Sequence, residues 1–230
     1  MATPPRALDA ERLLLLCHGL PLSRDGGRLA SRLLPELAER LAGESGWTTV
    51  VASLRGVGSS PGTFSASGWR ADLRVVIDEL IGDRKGISLV GFGFGGALAL
   101  RTAADDLRVR GVAALATPAD LAAWCGPPSV FAEACERAGV VGNQPLEDPD
   151  VLVGDVLAID PLSAVAEIPP RRIMIVHGAD DAIVPARAAR QLVDAANGRA
   201  ELRIVAGAGH WLRSDPRMVA TVLGWLDRQR

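Results

Sequence analysis

A chain of 230 residues with a net charge of −2, from 25 cationic and 27 anionic side chains, suits one α/β domain with a substantial buried core. With 48% hydrophobic residues and no basic stripe it reads as an ordinary soluble globule, which argues against nucleic acid as a partner. Three cysteines, Cys17, Cys125 and Cys135, show neither a paired framework nor metal-ligand spacing, so free thiols in a reducing compartment are expected.

Residues 1–10 form a polar, proline-bearing lead-in. Arg12 to Cys17 is continuously apolar after its first residue, the pattern of a parallel strand covered on both faces, and the loop His18-Gly19-Leu20-Pro21 follows it. Leu13 to Leu16 is too short for a secretory core and no run approaches a membrane span, so a cytoplasmic location without a membrane partner is expected. Leu29, Leu33, Leu34, Leu37 and Leu41 carry helical spacing; Pro35 predicts a kink or a second short helix, and Gly43 a stop. Trp47 to Leu54 reads as the second strand. The glycine-rich loop Arg55 to Gly62 lacks the G-K-[ST] ending and the directly following helix of a phosphate loop. Arg55 is either a substrate contact or, as is more common, a brace for its own loop. Trp69, Leu73, Val76, Ile77 and Leu80 mark the next helix.

Ile87 to Leu100 then runs strand, sharp turn, helix. Gly91-Phe92-Gly93-Phe94-Gly95 fits the frame G-x-S-x-G of a nucleophile elbow, except that the serine position is Gly93. The tip of such a turn usually has φ > 0, a strained conformation that glycine adopts freely. Glycine there also removes the only side chain at the tip. Cys17, Ser59, Ser60 and Ser88 are the nearby hydroxyls and thiols, and none falls at the tip.

Val109 to Ala116 reads as the fourth strand. Residues 120–170 are irregular, broken by Trp124, Pro127, Pro128, Phe131, Gly142 and Pro145. Arg172 to Val176 is the fifth strand, followed by His177-Gly178-Ala179-Asp180-Asp181. Pro185 is placed to open a helix that Asn197-Gly198 closes. Glu201 to Val205 is the sixth strand, Gly207-Ala208-Gly209-His210 the loop after it, and Pro216 opens a last helix with Met218, Val219, Val222, Leu223 and Leu226 on one face. Strict alternation of strands and helices predicts a doubly wound, mainly parallel six-stranded sheet with helices on both faces.

With its His-Gly loop, glycine-rich elbow, HGxxD and GxxH segments in that order, the chain resembles the α/β-hydrolase superfamily nearly end to end. The resemblance implies one domain over 1–230 and a short lid or cap at about 120–170; larger members of the family carry a β-hairpin before the first strand, and the short lead-in here leaves no room for one, so a minimal version is expected. It puts the first and third strands side by side at the topological switch point, where ligands sit outside the carboxyl ends of strands. It also implies a histidine base at His210, an acid at Asp181 rather than Asp180, and oxyanion donors in the backbone N–H groups of Leu20 and Phe94. Trp124 and Phe131 become candidate walls of a substrate pocket; the alternative is that they only cover core. His18 becomes a candidate substrate neighbour or a structural brace for its loop. No cofactor and no metal are implied.

The nucleophile position itself departs from the family. A similar glycine occurs in the N-myc downstream-regulated family, whose members resemble hydrolases without acting as them. Three readings follow: a pseudoenzyme or binder of a small acyl or carboxylate ligand; a serine-free enzyme using His210 and Asp181 as base; or an acyl ester hydrolase whose native serine was replaced by Gly93.

Overall fold

The computed structural model describes residues 9–21, 24–141 and 148–229, and the side chains of these except 9–11 and 24–32. Strands β1 (Asp9–Cys17), β2 (Trp47–Ala52), β3 (Ile87–Phe92), β4 (Val109–Leu115), β5 (Arg172–Gly178) and β6 (Ala200–Val205) form one parallel sheet in the order β2-β1-β3-β4-β5-β6. Helices α1 (Arg24–Ser45), α2 (Ala66–Ile81) and α3 (Phe94–Asp105) connect the first four strands. Four shorter helices lie between β4 and β5: α4 (Leu121–Cys125), α5 (Pro128–Ala138), α6 (Pro149–Leu157) and α7 (Pro161–Glu167). Helix α8 (Arg187–Ala195) links β5 to β6, and α9 (Pro216–Asp227) closes the chain. The order reverses at β1 and β3, which pair Cys17 with Gly91, so the loops after both strands leave the sheet side by side.

Successive side chains of a strand point to opposite faces, and here both faces are covered. Leu13, Leu15, Leu89, Val112, Ile173 and Ile175 pack with Leu73 and Ile77 of α2, Leu98 of α3 and Leu192 of α8. Their neighbours Leu14, Leu16, Val90, Ala113, Met174 and Val176 pack with Leu37 and Leu41 of α1 and with Met218, Val222 and Leu226 of α9. Fully burying one such leucine contributes about 1.5–3 kcal/mol.

Several boundaries differ from expectation. Helix α1 runs unbroken through Pro35 and past Gly43, and the left-handed residue that follows it is Gly46 at φ +76°. Strand β2 stops at Ala52, two residues early, because the Leu54 N–H donates to Nε2 of His18 (3.0 Å). Ala116 leaves the sheet at φ +50°. Pro185 stands two residues before α8 rather than inside its first turn. The lead-in up to residue 8 and the breaks at Gly142 and Pro145 lie outside the described residues, as does the side chain of Leu29. The three cysteines are free and buried.

Candidate active site

Strand β3 ends at Phe92 and α3 begins at Phe94, leaving Gly93 alone at the turn with φ +55° and ψ −125°. The Gly93 N–H donates to the Leu115 carbonyl (2.8 Å), and the Gly96 N–H donates to the Gly93 carbonyl (2.9 Å). The surrounding glycines exist for room. A Cβ on Gly91 would strike the Gly95 carbonyl, one on Gly95 the His18 carbonyl, and one on Gly96 the Thr117 hydroxyl. Gly93 is different: a Cβ there would stand 3.7 Å from Nε2 of His210 and 4.0 Å from Cα of Gly19, ordinary contact distances. The turn is crowded at its base and open at its apex.

Nδ1 of His210 lies 2.8 Å from Oδ2 of Asp181. An ionised carboxylate only accepts, so Nδ1 carries a proton and Nε2 is the ring nitrogen turned toward Gly93. The Asp181 carboxylate is fully buried. Its Oδ1 accepts from the N–H groups of Ile183 (2.9 Å) and Val184 (2.8 Å). Nε2 of His177 donates to the Val184 carbonyl (2.8 Å) and also lies 3.3 Å from Asp181 Oδ2. Burial alone would raise the Asp181 pKa. The hydrogen bonds from His177, His210 and the Val184 amide override it and hold the carboxyl well below its usual range.

His18 is buried behind the site. Its Nε2 accepts from Leu54, so Nδ1 donates to the Gly19 carbonyl (2.9 Å), and its ring meets Trp69 edge-on at 4.9 Å. Burial lowers its pKa, so the ring is neutral. His18 thus braces its loop and does not line the cavity beside Gly93. Leu20, Phe94 and Trp124 do line it. Trp124 stacks on Phe94 with centroids 5.4 Å apart and planes 4° apart. Phe131 does not reach the cavity; it is buried behind Trp124, 5.6 Å away. Arg55 is a brace, its guanidinium paired with Asp72 (2.6 Å) and its carbonyl accepting from Trp69 Nε1 (2.9 Å). Cys17, Ser59, Ser60 and Ser88 are absent from the cavity wall.

The cavity holds about 280 Å³. Its walls are mostly apolar, and they include Ile183, Trp211 and Arg213, which carried no motif. Ile183 and Trp211 are about half exposed. Cζ of Arg213 stands 4.6 Å from the centroid of the Trp211 ring. Arg213 forms no ion pair among the described residues, and its Nε is buried without a hydrogen-bond partner. Their one sequence signal is position: Ile183 follows closely on Asp181, and Trp211 and Arg213 lie immediately downstream of His210.

A partly buried histidine held by a fully buried carboxylate thus faces the tip of a strand–turn–helix at the switch point of a doubly wound sheet, where ligands sit in folds of this kind. A family model described as the alpha/beta hydrolase fold matches residues 12–139, and the chain belongs to that family. Among solved structures it is similar to a monoacylglycerol lipase of Paleococcus ferrophilus, with 19% identity, a TM-score of 0.70, and 100% of this chain and 97% of that one covered. It is also similar to the alpha/beta hydrolase GrgF from Penicillium sp. sh18, with 22% identity, a TM-score of 0.71, and coverage of 96% and 91%. The Pyrococcus furiosus esterase Pf2001 is 17% identical, with a TM-score of 0.68 and coverage of 95% and 83%. At these identities the likeness is one of fold. No curated protein sequence matches the chain. No helix among the described residues is long and apolar enough to cross a membrane.

Proposed function

We propose that this protein binds a small acyl or carboxylate ligand on a hydrolase scaffold without covalent turnover. The observation that carries this reading is Gly93: it keeps the elbow's positive-φ geometry while lacking the side chain that would attack a substrate. The other parts fit ligand capture. The N–H groups of Leu20 and Phe94 have no hydrogen-bond partner among the described residues, and both residues line the cavity. They would receive a carbonyl or carboxylate oxygen, with the N-terminus of α3 adding a favourable partial charge. Helices α4 to α7 would serve as a short lid, with Trp124 as its wall.

Gly93→Ser tests the reading. Serine fits the open apex at a backbone strain of about 1–3 kcal/mol. Its hydroxyl proton would pass to Nε2 of His210 as Oγ bonds the acyl carbon, and His210 would return that proton to the departing alcohol. The glycine protein should leave p-nitrophenyl acetate nearly untouched, and the serine variant should hydrolyse it faster by several orders of magnitude. His210→Ala in the serine background should remove the gain. A folded serine variant with no esterase activity would mean that the site has drifted beyond the loss of one side chain.

One observation favours a second reading: His210 keeps its hydrogen bond to an ionised partner although no serine is present. There His210 would take a proton directly from water or from the ligand. In the same assays, turnover by the glycine protein that His210→Ala abolishes would establish this reading in place of the first.

A further inference from the structure

The cavity contains a charge that the hydrolase machinery does not use. Among the described residues its side-chain walls are apolar apart from His210 and Arg213, and no carboxylate lines it. A guanidinium next to apolar walls is normally paired, yet Arg213 has no anionic partner among the described residues and its buried Nε–H is unsatisfied. The Trp211 ring lies against the guanidinium, Cζ 4.6 Å from its centroid, a contact with the face of the group that uses none of its N–H groups.

We infer that the ligand carries a carboxylate that pairs with Arg213, so the class of ligand is an acyl compound with a second, anionic end, such as a half-ester of a short dicarboxylic acid. This rests on the reading of the cavity as an acyl-binding site. One planar guanidinium matches one planar carboxylate in shape and charge. A phosphate dianion would leave unbalanced charge against the apolar wall. The acyl oxygen would face Leu20 and Phe94, and the carboxylate would face Arg213 on the wall beyond His210.

Monomethyl succinate and dimethyl succinate separate the idea from its rivals, since they differ by one methyl group and one charge. Titrated calorimetrically into the unaltered protein, the monoacid should bind about tenfold or more tightly than the diester, the size of one charge-assisted hydrogen bond. The preference should shrink as salt is raised. Arg213→Gln should reduce it to within about twofold, and Arg213→Lys should restore part of it. Equal binding of the two compounds by the unaltered protein overturns the inference. So does a preference that survives in folded Arg213→Gln, which would put the carboxylate elsewhere, for instance on the Leu20 and Phe94 amides. If Arg213→Gln does not fold, the salt dependence in the unaltered protein and the Arg213→Lys ratio decide.

Failure of the underlying reading looks different. In the Gly93→Ser protein, p-nitrophenyl hemisuccinate should be preferred over p-nitrophenyl acetate. Activity on both without that preference sinks the role of Arg213 and keeps the scaffold reading. An inert serine variant beside Arg213-dependent binding by the unaltered protein does the reverse.

Discussion

Asp181 keeps its negative charge where burial opposes it, because four N–H groups surround two oxygens. Asp181→Asn keeps the shape and removes the charge. Its amide would turn an N–H toward the N–H of His210, which would then rotate or change tautomer. In the Gly93→Ser background this should cost on the order of 10⁴ in kcat, as a lost orienting acid does in such triads. The substitution should also alter acid stability. A carboxyl whose folded pKa lies below its unfolded value stabilises the fold above the unfolded pKa of about 4 and ceases to do so as pH falls toward the folded value. Urea unfolding from about pH 5 downward should therefore show a steep acid limb for the unaltered protein and a flatter one for Asp181→Asn. Parallel curves would mean that Asp181 is not the group responsible. The HGxxD frame of the resembled family singled out Asp181 over its neighbour, and the fold brings that side chain to the loop after β6. Arg213 was invisible to the same approach: a single arginine in a loop has no spacing to read, and only the folded cavity reveals that it has no anionic partner among the described residues.

Prolines account for most of what the elements concealed. Pro128, Pro149 and Pro161 each stand at the first turn of a helix, where the missing N–H has no partner to lose. Asp148 and Asp160 cap two of these helices by accepting from backbone N–H groups. Read one residue at a time, prolines at such density look like breakers, so a helical region passes for an irregular one. Pro35 misleads in the opposite way. It lies on the exposed side of α1, and the burial of Leu34, Leu37 and Leu41 against the sheet holds the helix together around it. The cost of an interior proline is nonetheless real, about 3 kcal/mol in an unconstrained helix. Pro35→Ala should recover part of it, about 1 kcal/mol, and raise the thermal midpoint by about 2–4 °C. An unchanged or lowered midpoint would mean that α1 is bent to suit the proline and that the sheet packs on the bent form. The inner strands β3, β4 and β5 were legible because each is a largely apolar run with a loop signal behind it, and burial on both faces leaves few other assignments.

Over the whole molecule the two halves of the core differ from the cavity in how they place tryptophan. Trp47, Trp69 and Trp225 are buried, whereas Trp211 is 57% exposed beside the cavity and Trp124 is partly buried in its wall. Tyrosine is absent, so ultraviolet emission reports on tryptophan alone. The intrinsic spectrum should be dominated by buried, blue-shifted emission with a minor component that acrylamide quenches. Trp211→Phe should remove most of that component without moving the thermal midpoint by more than about 2 °C, since an exposed ring contributes little to the core. Undiminished quenching in the variant would mean that another tryptophan is exposed in solution. The fold and the hydrogen-bonded pairing of His210 with Asp181 were readable from four motifs in order, but the character of the cavity was not, because it depends on side chains that meet only when the loops after β1, β3, β5 and β6 converge.

The open apex at Gly93 also bears on descent. Glycine codons GGC and GGT stand a single transition from the serine codons AGC and AGT. The neighbouring glycines already clear the space and His210 already waits at contact distance, so a hydrolytic descendant would need neither a new backbone nor compensating changes in the core. Mutational libraries selected on activated esters should then recover serine at this position first, ahead of changes in the cavity wall.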